Sequence, residues 1–140
     1  MSTKESTQPK QSIGPTIMVV MMDVDPEHDE EFNRWYNDEH LADLVAIPGV
    51  LNAARYEAVS GSPKYLAAYE LTNPEVRDTP EYQEHLIKPS EWSNRVNLQG
   101  IATRLIQNNY RQIFPLEVAG EVAQSDMAPV LQIGRMTIPE

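Results

Sequence analysis

The patterned part of the chain begins with six consecutive apolar residues, 17–22, which follow Gly14-Pro15. A short apolar run that contains β-branched residues is typical of a strand with both faces covered. It predicts a first strand over Thr16–Val24. Alternating apolar residues over 50–59 and 65–71 predict two antiparallel strands, joined across the turn signal at residues 60–63. A segment rich in Ile, Thr, Tyr and Phe predicts a fourth strand over 100–114.

Two helices are predicted between these strands. Asp25-Pro26 is a helix start, because Asp accepts a hydrogen bond from a free backbone N–H and Pro suits the first helical position. Apolar and aromatic residues then recur every three or four positions, which predicts one inward face, and Pro48-Gly49 ends the helix. Thr79-Pro80 begins a second helix over 79–87, and a turn is predicted around 91–96. The inward face of the first helix comprises Phe32, Trp35, Tyr36, His40, Leu44 and Ile47.

The order β-α-β-β-α-β predicts an α+β, ferredoxin-like fold, in which an antiparallel sheet carries its helices on one face. The apolar first strand implies that the second face of the sheet is also covered, so we expect a homodimer with two-fold symmetry. Residues 1–14 are expected to form a disordered tail and residues 15–114 the domain. Residues 115–140 are expected to form an extended arm, either across the partner subunit or over a pocket.

Composition and charge exclude several functions. The chain has 140 residues and a formal net charge of −10, and an acidic surface disfavours nucleic acid and anionic membranes as partners. It contains no cysteine, which excludes disulfides, a thiolate nucleophile and cysteine-ligated metals. Its start lacks a secretory signal and its longest apolar run is too short to span a bilayer, so we expect a cytoplasmic protein.

His40 is the first candidate for chemistry, since it lies one turn after Tyr36 on the apolar helix face. Imidazole titrates near neutral pH, and burial readily moves its pKa. The alternative is a core histidine whose nitrogens are simply hydrogen bonded. Aromatic residues near it favour a ligand pocket with apolar walls and a few polar groups, and they are Trp35, Tyr36, Tyr56, Tyr65 and Tyr69.

Other candidates surround this helix. The guanidinium of Arg55 can hold a carboxylate or enolate by two-point contact, or it can form a salt bridge with Glu39, Glu57 or Glu70. His85 is either a second acid or base or a surface residue, and Trp92 lies near the same helix. Acidic residues at 23–29 are explained by helix capping and dipole complementarity, so no metal site is predicted.

The string at residues 35–40, Trp-Tyr-Asn-Asp-Glu-His, is followed by Ile47-Pro48-Gly49-Val50 and Ala54-Arg55-Tyr56. This combination resembles the dimeric α/β-barrel proteins, and within them the EthD-like group, over residues 16–114. The resemblance implies a β-barrel formed by two facing sheets, with a ligand cavity between sheet and helices in each subunit. His40 matches the motif histidine, Trp35 the aromatic position and Arg55-Tyr56 the pair on the second strand. Proteins of this kind include cyclases, lactone isomerases, cofactor-free oxygenases, haem-degrading enzymes and small partners of oxidative systems.

The sequence favours a cofactor-independent enzyme that carries out lyase, isomerase or cyclase chemistry on a small cyclic or aromatic substrate. His40 is the expected general base or acid, and Tyr36, Tyr56 or Tyr69 would donate to the developing oxyanion. The alternative is a non-catalytic, dimeric ligand-binding or accessory protein of an oxidative degradation system, with His40 as an anchor. No cofactor is expected. The residues expected to bind substrate are Phe32, Trp35, Arg55, His85 and Trp92.

Overall fold

The computed structural model describes residues 16–114 and 127–139. Four strands form one antiparallel sheet in the order β2-β3-β1-β4. They are β1 (Thr16–Val24), β2 (Val50–Glu57), β3 (Tyr65–Leu71) and β4 (Ala102–Arg111). β1 and β3 have the predicted bounds, whereas β2 and β4 end earlier than predicted. The expected tail, residues 1–14, lies outside the described residues, as do residues 115–126 and Glu140 of the expected arm.

The first predicted helix is built from several helical pieces. The Asp25 carboxylate accepts a hydrogen bond from the backbone N–H of Glu27 and caps a 3₁₀ turn over Pro26–His28. The chain continues through α1 (Asp29–Trp35), a π-helical turn (Tyr36–His40) and α2 (Leu41–Val45). The capped start is therefore confirmed.

The second helical region is longer than predicted. After a 3₁₀ turn at Pro74–Asp78 come α3 (Pro80–Ile87), α4 (Glu91–Val96) and α5 (Leu98–Ile101). The predicted turn at 91–96 is wrong, because Ser90 caps a helix there by accepting a hydrogen bond from the backbone N–H of Ser93. Asn97 ends that helix in the left-handed conformation, with φ 53°.

The core lies between the helices and one face of the sheet. All of the predicted inward helix residues are buried except His40, which is half-buried. Across from them β3 contributes alternate residues, as its pattern predicts. The α+β ferredoxin-like prediction is confirmed by this antiparallel sheet with its helices on one face. The sheet residues in this core include Met18, Met22, Tyr65, Ala67, Tyr69 and Leu71.

The second face of the sheet is covered in part by residues 127–139 of the same chain, which contain no helix or strand. The Tyr56 hydroxyl donates a hydrogen bond of 2.6 Å to the carbonyl oxygen of Ala128. A cavity of about 530 Å³ lies between this segment and the sheet, and it is lined by Val19 and Ala68 on one side and Leu131 and Ile133 on the other. Within one chain, the C-terminal segment thus supplies part of the cover that was expected from a second subunit. No helix in residues 16–114 or 127–139 is long and apolar enough to cross a membrane.

Candidate functional site

A π-helical turn in the middle of the first helix places the candidate histidine. The backbone N–H of Leu41 donates to the carbonyl oxygen of Tyr36, five residues earlier, where an α-helix would bond four residues apart. In an α-helix, residues five apart point about 140° away from each other. The wider π turn brings His40 onto the same side as Trp35, and the two rings stack with centroids 4.4 Å apart at 21°.

The imidazole of His40 lies among aromatic rings and carries an unpaired nitrogen. The Tyr36 ring is nearly perpendicular to it, with ring centroids 4.9 Å apart, and the centroid of the His85 ring, on α3, lies 5.7 Å from that of His40. Its Nδ1 is buried and has no hydrogen-bond partner in the part of the chain that the structure describes. Buried polar atoms are normally hydrogen bonded, so an unpaired one calls for an explanation.

Burial, with smaller contributions from the nearby His85 and Arg55, lowers the pKa of His40 from 6.5 to about 4. Removing an imidazolium from water disfavours its charge, and neighbouring cationic groups add to that effect. His40 is therefore a neutral imidazole at physiological pH, with an available lone pair on one of its two nitrogens.

Two buried tyrosines meet beneath this helix. The hydroxyls of Tyr36 and Tyr69, on β3, are 2.5 Å apart. Burial raises the pKa of Tyr36 to about 12, although the hydrogen bond to Tyr69 and the charge of Arg55 act against that rise. Burial and Tyr36 also raise the pKa of Tyr69 well above its ordinary value. Both phenols therefore keep their protons at neutral pH; one hydroxyl donates to the other, and the proton of the second is available to a ligand.

Arg55, on β2, brings a cation to the same cluster. Its guanidinium lies 4.4 Å from the centre of the Tyr36 ring, and its Nη atoms donate to the amide oxygens of Asn37 and Asn33 at 2.6 and 2.8 Å. Burial lowers its pKa, and the nearby Tyr36 opposes this. In the sequence, Asn33 and Asn37 were not recognised as partners, although their spacing of four residues puts them on one helix face.

A second group of hydrogen bonds joins the first helix to α4. The carboxylate of Glu39 accepts from the hydroxyls of Ser90 at 2.5 Å and Ser93 at 3.3 Å. The indole Nε1 of Trp35 donates to Ser93 Oγ at 3.0 Å. Neither serine was among the predicted site residues. The only signal for them is that Ser90 follows Pro89 at a helix start, which indicates a cap but not a link to Glu39.

Solved structures of similar shape are found, whereas no family model and no curated protein matches the chain. A dimeric ferredoxin-like protein from an uncultured marine organism is 13% identical with a TM-score of 0.58, over 75% of this chain and 93% of that one. The heme-degrader MhuD of Mycobacterium tuberculosis, with two hemes bound in its active site, is 16% identical with a TM-score of 0.51, over 72% and 98%. The chain has a ferredoxin-like fold. An EthD family protein from Bacillus halodurans is 16% identical with a TM-score of 0.48, over 70% and 99%. The similarity to the dimeric ferredoxin-like protein confirms the ferredoxin-like fold that the sequence resemblance implied.

Within the ferredoxin-like domain, most of the predicted site residues lie on one side of the sheet. Trp35, Tyr36, His40, Tyr69 and Arg55 form one cluster between the first helix and the sheet, and His85 lies against it from α3. Phe32 belongs to the same packing, with its ring 5.6 Å from that of Tyr36. We call this set the His40 cluster; its members are Phe32, Trp35, Tyr36, His40, Arg55, Tyr69 and His85.

Two predicted site residues are not brought to this cluster. Tyr56 pairs with Leu66 across β2 and β3 and lies on the opposite face of the sheet, beside residues 127–139. Trp92, on α4, is half-buried and donates its indole N–H to Glu31 at 2.8 Å. Glu39, which the sequence offered as a salt-bridge partner of Arg55, accepts hydrogen bonds from Ser90 and Ser93.

The interior beside the His40 cluster is tightly filled. A void lined by Phe32, Tyr36, Arg55 and Tyr65 is too narrow for a water molecule. The sequence resemblance implied an open ligand cavity between sheet and helices, but here the tyrosine pair and the guanidinium occupy that space. A ligand reaches this void only if side chains move. Among the described residues, no group of three or more metal-binding side chains is arranged to hold a metal ion.

Proposed function

We propose that this chain is a cofactor-independent enzyme that performs general acid–base chemistry, of the lyase, isomerase or cyclase type, on a small cyclic or aromatic substrate. The observation that carries the proposal is the buried Nδ1 of His40, which has no partner among the residues described. Leaving a buried polar atom unpaired costs roughly 1–3 kcal/mol. A substrate that donates a hydrogen bond or a proton to this atom removes that cost.

His40 is proposed as the general base. With a pKa of about 4 it is already in its basic form at pH 7. A base this weak takes a proton only from a strongly acidified position, such as a carbon next to a carbonyl whose developing charge is stabilised. The substrate class that fits is therefore a carbonyl compound with an acidic C–H bond.

Tyr36 and Tyr69 are proposed as the donors that stabilise the resulting oxyanion. Their pKa values are raised while that of His40 is lowered, so one group is ready to accept a proton and the others to donate hydrogen bonds. Donors aimed at a developing charge in a site without water typically contribute a few kcal/mol each. Tyr56 lies on the other face of the sheet, so this proposal does not use it.

Arg55 is proposed to bind an anionic group of the substrate, either a carboxylate or the enolate itself. It stays protonated at neutral pH, and its hydrogen bonds among the described residues go to the neutral amides of Asn33 and Asn37. The Asp29 carboxylate acts on Arg55 electrostatically but accepts no hydrogen bond from it among those described, so the guanidinium keeps an attraction for a second anion. This favours substrates that carry a negative charge close to the reacting carbon.

We further propose that the protein acts as a homodimer. In support, one structural relative is described as a dimeric ferredoxin-like protein. The side of the molecule that carries the C-terminal segment also exposes large apolar residues, which is typical of an interaction surface: Ile113, Phe114, Val130, Met136 and Ile138. Light scattering should give twice the chain mass of 15.9 kDa; a mass of one chain at micromolar concentration would refute the dimer.

The catalytic proposal is tested by deuterium exchange. Small cyclic and aromatic carbonyl compounds that carry a carboxylate are incubated with the protein in D₂O, and exchange next to the carbonyl is followed by proton NMR. For compounds that the protein accelerates, His40→Gln is expected to lose at least about 100-fold in rate, because general base catalysis typically contributes 10²–10⁴-fold. The matched control is His28→Gln, an exposed histidine at the start of the same helical region, which should keep its rate.

The outcomes separate the two functions that the sequence allows. If His40→Gln folds and exchanges at the wild-type rate, His40 is not the base. If the wild-type protein binds these compounds but accelerates no exchange, and His40→Gln weakens binding, the protein is the non-catalytic ligand-binding alternative. In that case His40 serves only as a hydrogen-bonding anchor.

A further inference from the structure

We propose that Ser93 is a positioning residue for His40: it holds the indole of Trp35, and the indole holds the imidazole. The inference rests on the proposed function, since it concerns how the proposed base is oriented. It assigns a role to a residue on α4 that does not touch His40.

The first step is the contact between the two rings. Trp35 and His40 stack nearly parallel at 4.4 Å, so the plane of the indole limits the directions in which the imidazole can lie. His40 has no hydrogen bond at Nδ1 among the described residues that would orient it instead. Its orientation therefore depends on packing, and above all on the indole face.

The second step is what holds the indole. Trp35 is 2% exposed, and a buried indole N–H needs an acceptor. That acceptor is Ser93 Oγ, at 3.0 Å. Because the bond fixes one edge of the ring, it sets the rotation of the indole plane beneath His40.

The third step distinguishes the two serines of α4. Both hydroxyls donate to Glu39, but the bond to Trp35 is made by Ser93. Ser90 instead caps the helix by accepting the backbone N–H of Ser93, and its hydroxyl lies 3.0 Å from Ser93 Oγ but makes no bond to the indole. Loss of the Ser90 hydroxyl therefore weakens α4, whereas loss of the Ser93 hydroxyl removes the acceptor of the indole.

The remaining groups that face His40 come from its own π turn and from two other elements. Tyr36 contacts it from the π turn, His85 faces it from α3, and Arg55 acts on it from β2. Neither Ser90 nor Ser93 contacts these groups through any hydrogen bond described above. A change in His40 on altering Ser93 is therefore expected to pass through Trp35.

The experiment follows the titration of the His40 ring by NMR in Ser93→Ala. Without its acceptor the indole can rotate and water can reach the imidazole, so the midpoint should move up toward the ordinary histidine value by at least about one pH unit. Ser93→Thr keeps a hydroxyl and should titrate within about half a unit of the wild type. Ser90→Ala, which destabilises the helix cap but leaves the indole bond, should also leave the midpoint in place.

A second variant tests the route through Trp35. Trp35→Phe keeps an aromatic face but has no N–H, so it should move the His40 midpoint in the same direction as Ser93→Ala. Adding Ser93→Ala to Trp35→Phe should then produce no further shift, as expected for two changes that remove one interaction. If Ser93→Ala fails to fold, the shift in Trp35→Phe alone still tests whether the indole N–H orients His40.

An unchanged midpoint in Ser93→Ala would overturn the inference, and so would equal shifts in Ser93→Ala and Ser90→Ala. Additive shifts in the double variant would do the same. These results are independent of the catalytic test. A shifted midpoint together with full exchange activity in His40→Gln would leave Ser93 as a positioning residue and refute only the role of His40 as a base.

Discussion

Phe32→Ala is expected to lower the free energy of unfolding by about 3–5 kcal/mol, the usual cost of truncating a fully buried phenylalanine to alanine. Phe32 has an exposed fraction of 0% and its ring packs between the first helix and the sheet. Its centroid lies 5.6 Å from that of Tyr36 and 5.5 Å from that of Tyr65, and the Arg55 guanidinium lies 5.2 Å away. The substitution therefore leaves a cavity and removes an aromatic surface from several neighbours at once.

The measurement is urea unfolding followed by circular dichroism, with all variants at one concentration because a dimer makes stability depend on concentration. Ile87→Ala, at a residue that is 72% exposed on α3, is the control and should change stability by less than about 1 kcal/mol. Phe32→Leu preserves more of the side-chain volume, so its loss of unfolding free energy should lie between those of Phe32→Ala and Ile87→Ala. A loss below about 1 kcal/mol in Phe32→Ala would show that this ring is not part of the packed core.

The strands and the helix start could be predicted because each is specified locally. The apolar run of β1 and the apolar alternation of β3 predict both strands and their bounds. Asp25 caps the first helical region at the position that the Asp-Pro pair predicts. The ferredoxin-like order follows from these elements alone. Local sequence patterns of this kind therefore predict most of the secondary-structure order of a small single domain.

The site is less predictable, because it depends on a π-helical turn and on contacts between residues that are distant in sequence, and no sequence pattern indicates either. Helical periodicity puts His40 one turn after Tyr36, but its stacking on Trp35 requires the π turn, which hydrophobic spacing does not reveal. The link from Glu39 to Ser90 joins residues 51 positions apart. Such contacts form only after α4 is placed, and its position is a property of the whole fold.

Tyr56 illustrates a different limit, that of strand register. Tyr56 and Tyr69 both lie on neighbouring strands, and either could face the helices. The observed pairing of Tyr56 with Leu66 sends its side chain to the opposite face, because successive strand residues alternate between faces. A register shifted by a single residue would have turned Tyr56 toward the helices, and sequence alone could not choose between the two.

The cover of the second sheet face shows the same dependence on distant residues. The apolar character of β1 correctly predicts that Val19 and Met21 are buried. The apolar pattern does not indicate which segment covers these residues. In the single chain, residues 127–139 lie over this face. The burial of a strand is thus predictable from its run of apolar residues, whereas the identity of the segment that covers it is not.

Acidification is expected to destabilise the protein through His40. The pKa of His40 is about 4 in the folded protein and 6.5 as the ordinary value, so the unfolded chain binds the proton more tightly. The stability that this difference contributes is fully present above pH 6.5 and is lost as the pH falls toward 4. The expected loss from this group is about 2 kcal/mol between pH 7.5 and pH 5, and on the order of 3 kcal/mol below pH 4.

The control for this linkage is His40→Gln, which removes the titrating group but keeps a polar side chain of similar length. Urea unfolding of both proteins at pH 7.5 and pH 5 isolates His40, because every other titrating group is common to the two chains. The wild type should lose about 2 kcal/mol more than the variant over this range. Equal losses would mean that the His40 ring is exposed to water in solution, and the proposed base would then have neither its lowered pKa nor its dry surroundings.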